Sequence, residues 1–126
     1  MGLNFFQRRR ILKGVNYLNL TPVRLKEHEE MEEGRVAIIF PKFKNERLQN
    51  FMVPGNKSKF IRIKLDDLGT ASWLAIDGKK TVKDICDHLE VKFGDTIHPV
   101  EERTTKFLSG LYEQRYISFK ELSKDK

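Results

Sequence analysis

The spacing of polar and apolar positions changes near residue 66. Before it, three segments either alternate with a period of two or are short, apolar and β-branched. These patterns predict strands at about 22–28, 35–40 and 60–65. The connection at 42–59 is long for a compact domain, and connections of this length are commonly functional. We therefore expect the first half of the chain to form a small sheet with one long loop.

From residue 66 onward, apolar positions recur every three or four residues, which predicts helices at about 66–76, 82–93 and 99–114. Thr81 and Asp84 have the spacing of a capping box at the start of the second helix. The order of elements predicts an α+β fold. We expect a small winged-helix-like domain, with a three-stranded antiparallel sheet followed by three helices.

The net charge of +6 is concentrated in two segments of the 126-residue chain. Residues 1–20 contain four bases and no acid, and residues 41–65 contain seven bases and one acid. We interpret 1–20 as a basic N-terminal arm, 21–122 as the folded domain and 123–126 as a solvated tail. A basic balance of this kind raises polyanions and acidic partners as candidate ligands.

The basic arm contains Arg8–Lys13, which resembles the core of a twin-arginine export signal. Gly14, Asn16 and Pro22 interrupt the segment that follows, so the uninterrupted apolar stretch of an export signal is missing. The chain also lacks the run of about 18 apolar residues that a membrane-spanning helix needs. We expect a mobile arm that docks on its own domain or on a partner.

No catalytic constellation is evident in the sequence. His28, His88 and His98 lack metal-ligand spacing, and Cys86 lies within the apolar stripe of the second helix. There is no Gly-rich phosphate loop. We therefore predict no enzyme activity, no metal and no cofactor. A single cysteine excludes an internal disulfide and is compatible with a reducing, cytoplasmic compartment.

Two alternatives follow from the predicted shape. A winged-helix protein that binds nucleic acid usually concentrates Lys and Arg on the helix that enters the groove. Residues 98–115 have equal numbers of acids and bases, and residues 66–115 have ten acids against seven bases, so this helix is poorly suited to phosphates. The other alternative is a structural subunit that docks a partner through an exposed third strand.

The second half of the chain has apolar positions with glycine and threonine punctuation, at Leu65, Leu68-Gly69, Trp73, Ile76, Gly78, Thr81-Val82, Ile85, Leu89, Phe93-Gly94, Phe107, Leu108, Leu111 and Tyr116-Ile117. In this pattern, over about residues 60–119, the chain resembles the family of pyrroloquinoline-quinone biosynthesis protein D (PqqD), a peptide-recognition element of ribosomally made, modified peptides.

This resemblance implies a non-catalytic chaperone that binds the leader of a precursor peptide and presents it to a modifying enzyme, often of the radical-SAM type. In the family the peptide adds a strand to the third strand and lies against the third helix, which is β-augmentation. Carried over, the peptide-binding residues are Phe60, Arg62, Lys64, Arg103, Phe107, Gly110 and Gln114. The bases among them favour an acidic or mixed apolar-acidic peptide. Arg115 stands where the family commonly has glycine, so we expect the end of the third helix to differ.

Overall fold

The computed structural model describes three parts of the chain: Gln7 with Arg8, residues 16–42, and residues 59–122. Most of the predicted arm, most of the predicted loop at 42–59 and the predicted tail at 123–126 lie outside these residues. The chain divides into two compact units. We call residues 1–25 with 71–126 the helical unit, and residues 26–70 the sheet unit. In the described part of the chain, no helix is long and apolar enough to cross a bilayer.

The described residues contain five strands, three α-helices of nine or more residues, and four short 3-10 helices. The strands are β1 (Pro22–Arg24), β2 (Glu27–Glu30), β3 (Val36–Pro41), β4 (Phe60–Lys64) and β5 (Ile117–Phe119). The helices are α1 (Asp67–Ala75), α2 (Val82–Phe93) and α3 (Val100–Glu113). Strands β2, β3 and β4 form an antiparallel sheet in that order. The predicted α+β fold, with a three-stranded antiparallel sheet and three helices, is confirmed.

The single strand predicted at 22–28 is in fact two strands that belong to different sheets. Strand β1 pairs with β5 in the helical unit, whereas β2 pairs with β3 in the sheet unit. Leu25 still donates its N–H to the Tyr116 carbonyl at 2.9 Å, and the pairing with β3 begins at Glu27. The alternating pattern runs through both strands, so it cannot mark the change of partner.

Side-chain caps fix the starts of two helices. Thr81 and Asp84 form the predicted capping box at the start of α2, each side chain accepting a hydrogen bond from the other residue's main-chain N–H. At the start of α1, Asp66 accepts a hydrogen bond from the Gly69 N–H at 2.7 Å. These bonds satisfy donors that the first turn of a helix leaves without a partner.

The core of the helical unit is built from apolar residues of all three helices and β5. Trp73 is fully buried. The Tyr112 and Phe119 rings lie 5.1 Å apart between centroids in a tilted arrangement. The other large side chains buried in this unit are Ile76, Val82, Ile85, Leu89, Ile97, Leu108 and Ile117. Helix α3 and strand β5 therefore share one packed core.

A charged residue, Arg8, is also buried in the helical unit, with a relative exposure of 1%. One guanidinium nitrogen donates to the main-chain carbonyls of Tyr112 and, at 3.0 Å, of Ile117. The guanidinium carbon lies 4.4 Å from the centroid of the Tyr112 ring, a cation–π distance. Arg8 thus docks on its own domain, at the C-terminal end of α3, where helix carbonyls favour a cation.

The end of α3 has a Schellman geometry with Arg115 in the position that normally favours glycine. Tyr116 donates to the Leu111 carbonyl at 2.9 Å and Arg115 donates to the Tyr112 carbonyl at 3.0 Å, while φ of Arg115 is +68°. The expectation that this helix end would differ from a glycine-ended helix is therefore wrong. Arg115 adopts the left-handed conformation instead.

We expect Arg115→Gly to raise the free energy of unfolding by about 1 kcal/mol, because an L-residue in this conformation costs roughly 1–2 kcal/mol and glycine does not. Chemical denaturation of the two proteins measures the difference. Arg115→Ala is the matched control, since it removes the guanidinium but keeps the unfavourable φ. A gain from alanine as large as that from glycine would contradict the backbone explanation.

Candidate functional site

Strand β4 lies at an edge of the sheet within the described residues, where its only strand partner is β3. Leu65 donates its N–H to the Val36 carbonyl at 3.0 Å, which marks a hydrogen-bonded pair. Hydrogen-bonded and non-hydrogen-bonded pairs alternate along an antiparallel ladder. Phe60, Arg62 and Lys64 therefore occupy non-hydrogen-bonded pairs. Their main-chain N–H and C=O groups point away from β3, toward the outer side of β4.

The opposite side of β3 has the complementary pattern. Met31 donates to the Arg35 carbonyl at 2.7 Å, which puts the hydrogen-bonded pairs of β2 and β3 at Ala37 and Ile39. The intervening residues of β3 then direct their main-chain groups toward β4. Both ladders agree, so the direction assigned to the main chain of β4 follows from the register of the whole sheet.

The side chains of β4 alternate between the two faces of the sheet. Phe60, Arg62 and Lys64 share one face and are exposed, Phe60 to 44%. Ile61 and Ile63 are on the other face and are partly buried. This is the division that the sequence pattern predicts. Three of the seven predicted peptide-binding residues are thus together on the open face of the sheet unit.

An ion pair crosses this open face over the central strand. The Arg62 guanidinium donates through Nε to the Glu29 carboxylate on β2. Ala37 on β3 is paired with Glu29 on one side and with Lys64 on the other. Because the side chain of Ala37 is only a methyl group, it leaves room for the longer side chains of Arg62 and Glu29 to meet across β3. Glu29 was not among the sequence-predicted site residues, because its partner is 33 positions away in sequence.

A shallow pocket lies beside the C-terminal end of β4. It has a volume of about 440 Å³ and is lined by Met31, Glu32, Glu33, Arg35 and Lys64. Its lining combines one apolar side chain with two acids and two bases. Lys64 therefore borders both the outer side of β4 and an open, polar cavity.

The other four predicted site residues belong to the helical unit. Arg103, Phe107 and Gly110 are on α3, and Gln114 is its C-cap. Their three- and four-residue spacing puts them on one side of the helix. Arg103 and Gln114 are exposed, whereas Phe107 and Gly110 are partly buried. Arg103 also has a local role, because its guanidinium donates to the Thr96 carbonyl at 2.9 Å.

Gly110 is not required by the packing of this chain. Among the described residues, a Cβ placed there would meet no atom within 4 Å. We expect Gly110→Ala to raise the free energy of unfolding by roughly 0.5–1 kcal/mol, because alanine has the higher helix propensity. Urea denaturation followed by circular dichroism measures this change.

Gly78→Ala is a matched control with the opposite expected sign. Gly78 also has open space around it, but its φ is +78°, which an L-residue adopts at a cost. If alanine destabilised the protein at both positions, the helix-propensity explanation for Gly110 would be contradicted.

The groups considered for catalysis or metal binding are separated or buried. Cys86 is 2% exposed, and burial raises the pKa of its thiol. His98 pairs with Glu90 at 2.8 Å on the surface. Within the described residues, no group of three or more His, Cys, Asp or Glu side chains is placed to hold a metal ion. The feature that the described part of the chain offers for binding is β4, an exposed strand with outward-pointing main-chain groups.

A small α+β domain with three helices and an exposed edge strand is suited to binding through its main chain. Comparison with known proteins agrees with this class. The sequence profile of a family described as coenzyme PQQ synthesis protein D (PqqD) matches residues 52–117, more than half of the chain. The chain belongs to the PqqD family. No curated protein and no solved structure gave a match.

The PqqD family takes part in PQQ biosynthesis as an accessory protein rather than as a catalyst. It binds a precursor peptide and works with a biosynthetic enzyme. The matched segment contains the whole of β4, the three helices and the start of β5. The strand edge described above therefore lies within the part of the chain that defines the family.

Proposed function

We propose that this protein captures the leader of a ribosomally made precursor peptide by strand addition at β4. It then presents the peptide to a modifying enzyme, for which the radical-SAM type is our first candidate, and does not itself catalyse a reaction. The observation that carries this proposal is the outward direction of the main-chain groups of Phe60, Arg62 and Lys64. An added strand would form its ladder with these groups.

The composition of the edge supports a peptide with acidic and apolar residues. Phe60 offers an exposed apolar surface, and Lys64 offers a positive charge next to the outer side of the strand. Arg103, Phe107, Gly110 and Gln114 are proposed as further peptide contacts on the helical unit. Charge complementarity at an exposed edge mainly improves the rate and specificity of association.

The acid and base distribution on α3 supports a peptide rather than a nucleic acid. Glu101 and Glu102 are exposed in the first turn, and the Arg103 guanidinium is engaged by the Thr96 carbonyl. Phosphate groups would be repelled by the two carboxylates. The helix therefore favours a peptide ligand over a nucleic acid.

Backbone NMR of the full chain tests the proposal. Where a short precursor peptide is encoded beside this gene, its leader half, made synthetically, is the probe. We expect its addition to shift the amide signals of residues 60–64 and to slow hydrogen exchange at Lys64, whose N–H points outward. No shift in these residues with saturating peptide would contradict the proposed function.

The same edge suits a structural subunit that docks a partner protein directly. A neighbouring modifying enzyme, added without peptide, distinguishes the two cases. Shifts in residues 60–64 with the enzyme alone, and none with the peptide, would favour the structural role.

A further inference from the structure

We propose that Glu29 is a specificity-determining residue of the β4 edge, because it limits how strongly this edge selects acidic residues in an added strand. The inference rests on the proposed function and concerns the charge of the peptide. It is argued from the ion pair between Glu29 and Arg62.

The ion pair points the Arg62 side chain toward β2, on the side away from the free edge of β4. Arg62 is on β4, and Glu29 is on β2, two strands away. The Arg62 guanidinium is therefore drawn across β3, away from the side on which a strand would be added. An acidic residue of the peptide opposite Arg62 has to compete with the Glu29 carboxylate for the same cation.

A peptide carboxylate can compete with Glu29 for Arg62 because the side chains of both Arg62 and Glu29 are partly exposed. The Arg62 and Glu29 side chains are 42% and 38% exposed. Exposed ion pairs are weak, so a peptide carboxylate can displace Glu29 at a modest cost. Lys64 has a different position. Lys64 is paired with Ala37, which is paired in turn with Glu29. The Glu29 carboxylate nevertheless accepts its hydrogen bond from Arg62.

The two cations of β4 therefore contribute unequally to peptide selection. Lys64 attracts acidic residues without this competitor, whereas Arg62 does so only after leaving Glu29. Removing the Glu29 charge should remove the attraction that draws Arg62 across β3, and so raise the share of Arg62 that a peptide carboxylate can bind. The edge would then favour acidic peptides more strongly than it does in the natural protein.

The test uses a displayed library of random twelve-residue peptides, selected on the full-length protein. The proteins compared are the natural chain, Glu29→Gln and the matched control Glu30→Gln. Glu30→Gln changes the net charge by the same amount as Glu29→Gln, but Glu30 is exposed on the face of β2 opposite to Glu29. Peptides that also bind Lys64→Pro, which lacks one outward N–H of β4, are discarded because they do not bind through the edge.

We expect Glu29→Gln to select peptides richer in Asp and Glu than those selected by the natural chain or by Glu30→Gln. For one acidic peptide from these pools, the affinity should rise about twofold to fivefold with Glu29→Gln, the factor that matches an exposed ion pair. Arg62→Gln should then weaken binding more in the Glu29→Gln protein than in the natural one, because the two residues are coupled.

The outcomes separate this inference from the proposed function. If the natural chain enriches no edge-binding peptide, the proposed function fails. If it enriches them, but Glu29→Gln and the natural chain select equal acidic content, the role of Glu29 is contradicted. Equal increases with Glu29→Gln and Glu30→Gln would also contradict it, since they would reflect net charge alone.

Discussion

Replacing Arg8 by alanine is expected to lower the free energy of unfolding by about 2–3 kcal/mol, although Arg8 belongs to a predicted mobile arm. The side chain is 1% exposed and donates to the carbonyls of Tyr112 and Ile117. Alanine removes these charge-assisted bonds and leaves a cavity beside the Tyr112 ring. Burial lowers the pKa of the guanidinium, so part of the gain is offset by the cost of desolvating a charge.

Three further variants identify the origin of this loss. Arg8→Met keeps most of the volume but has no donor, and Arg8→Lys keeps the charge but lacks the planar guanidinium that stacks on Tyr112. Gln7→Ala is the neighbouring control, since Gln7 is the exposed preceding residue, and it should lower the free energy of unfolding by less than Arg8→Ala does.

Urea unfolding followed by the fluorescence of the buried Trp73 measures these differences. We expect Arg8→Lys to be intermediate and Arg8→Met to be closer to alanine than to the natural protein. A loss below about 0.5 kcal/mol for Arg8→Ala, the size of an ordinary surface substitution, would contradict the structural role of Arg8.

The burial of Arg8 could not be predicted from its local sequence. Arg8, Arg9 and Arg10 are chemically equivalent in the sequence, and such a run is usually solvated. Arg8 donates to a pair of carbonyls located 104 and 109 positions later in the chain. Only the folded end of α3 and the start of β5 bring these acceptors together.

The elements that could be predicted are those specified by neighbouring residues. The capping box of Thr81 and Asp84 depends on a spacing of three, and the apolar stripe of α2 depends on the helical period. The division of the first predicted strand into β1 and β2 depends on which distant strand each part contacts. The pattern therefore gives the extended conformation of this segment but not its partners.

The candidate site also combines features that neighbouring residues determine with features that depend on distant residues. The alternation of Phe60 to Lys64 predicts which side chains share a face, because this depends on the strand alone. The orientation of the main-chain groups depends on the register with β3, and the restraint on Arg62 depends on Glu29. Neither could be inferred from the sequence of β4.

Lys64→Pro is expected to weaken the binding of peptides enriched on the natural chain by about tenfold or more. This factor corresponds to the loss of at least one main-chain hydrogen bond and of close contact between the strands. Lys64 lies in a non-hydrogen-bonded pair, so its N–H points toward the outer side of β4. Proline removes that donor and puts its ring where the added strand would lie. The ladder to β3 keeps all its donors, so we expect a stability cost of about 1 kcal/mol or less.

Ile63→Pro and Lys64→Ala are the two matched controls. The Ile63 N–H points toward β3, so proline there removes a ladder bond and should cost about 3 kcal/mol or more of folding free energy. Lys64→Ala removes the charge and keeps the N–H, so its effect on peptide affinity should fall as salt concentration rises.

Fluorescence anisotropy measures the affinities, with labelled peptides enriched on the natural chain and taken before any peptide is discarded for binding Lys64→Pro. Urea unfolding measures the stabilities. Strand addition requires Lys64→Pro to lose far more affinity than Lys64→Ala at high salt, because main-chain hydrogen bonds are not screened as exposed charges are. Equal losses for the two variants would mean that the peptide is held by the Lys64 charge alone. Since the lysine charge is absent from both variants, the difference between them measures what the peptide loses when β4 gives up one outward N–H and close contact with an added strand.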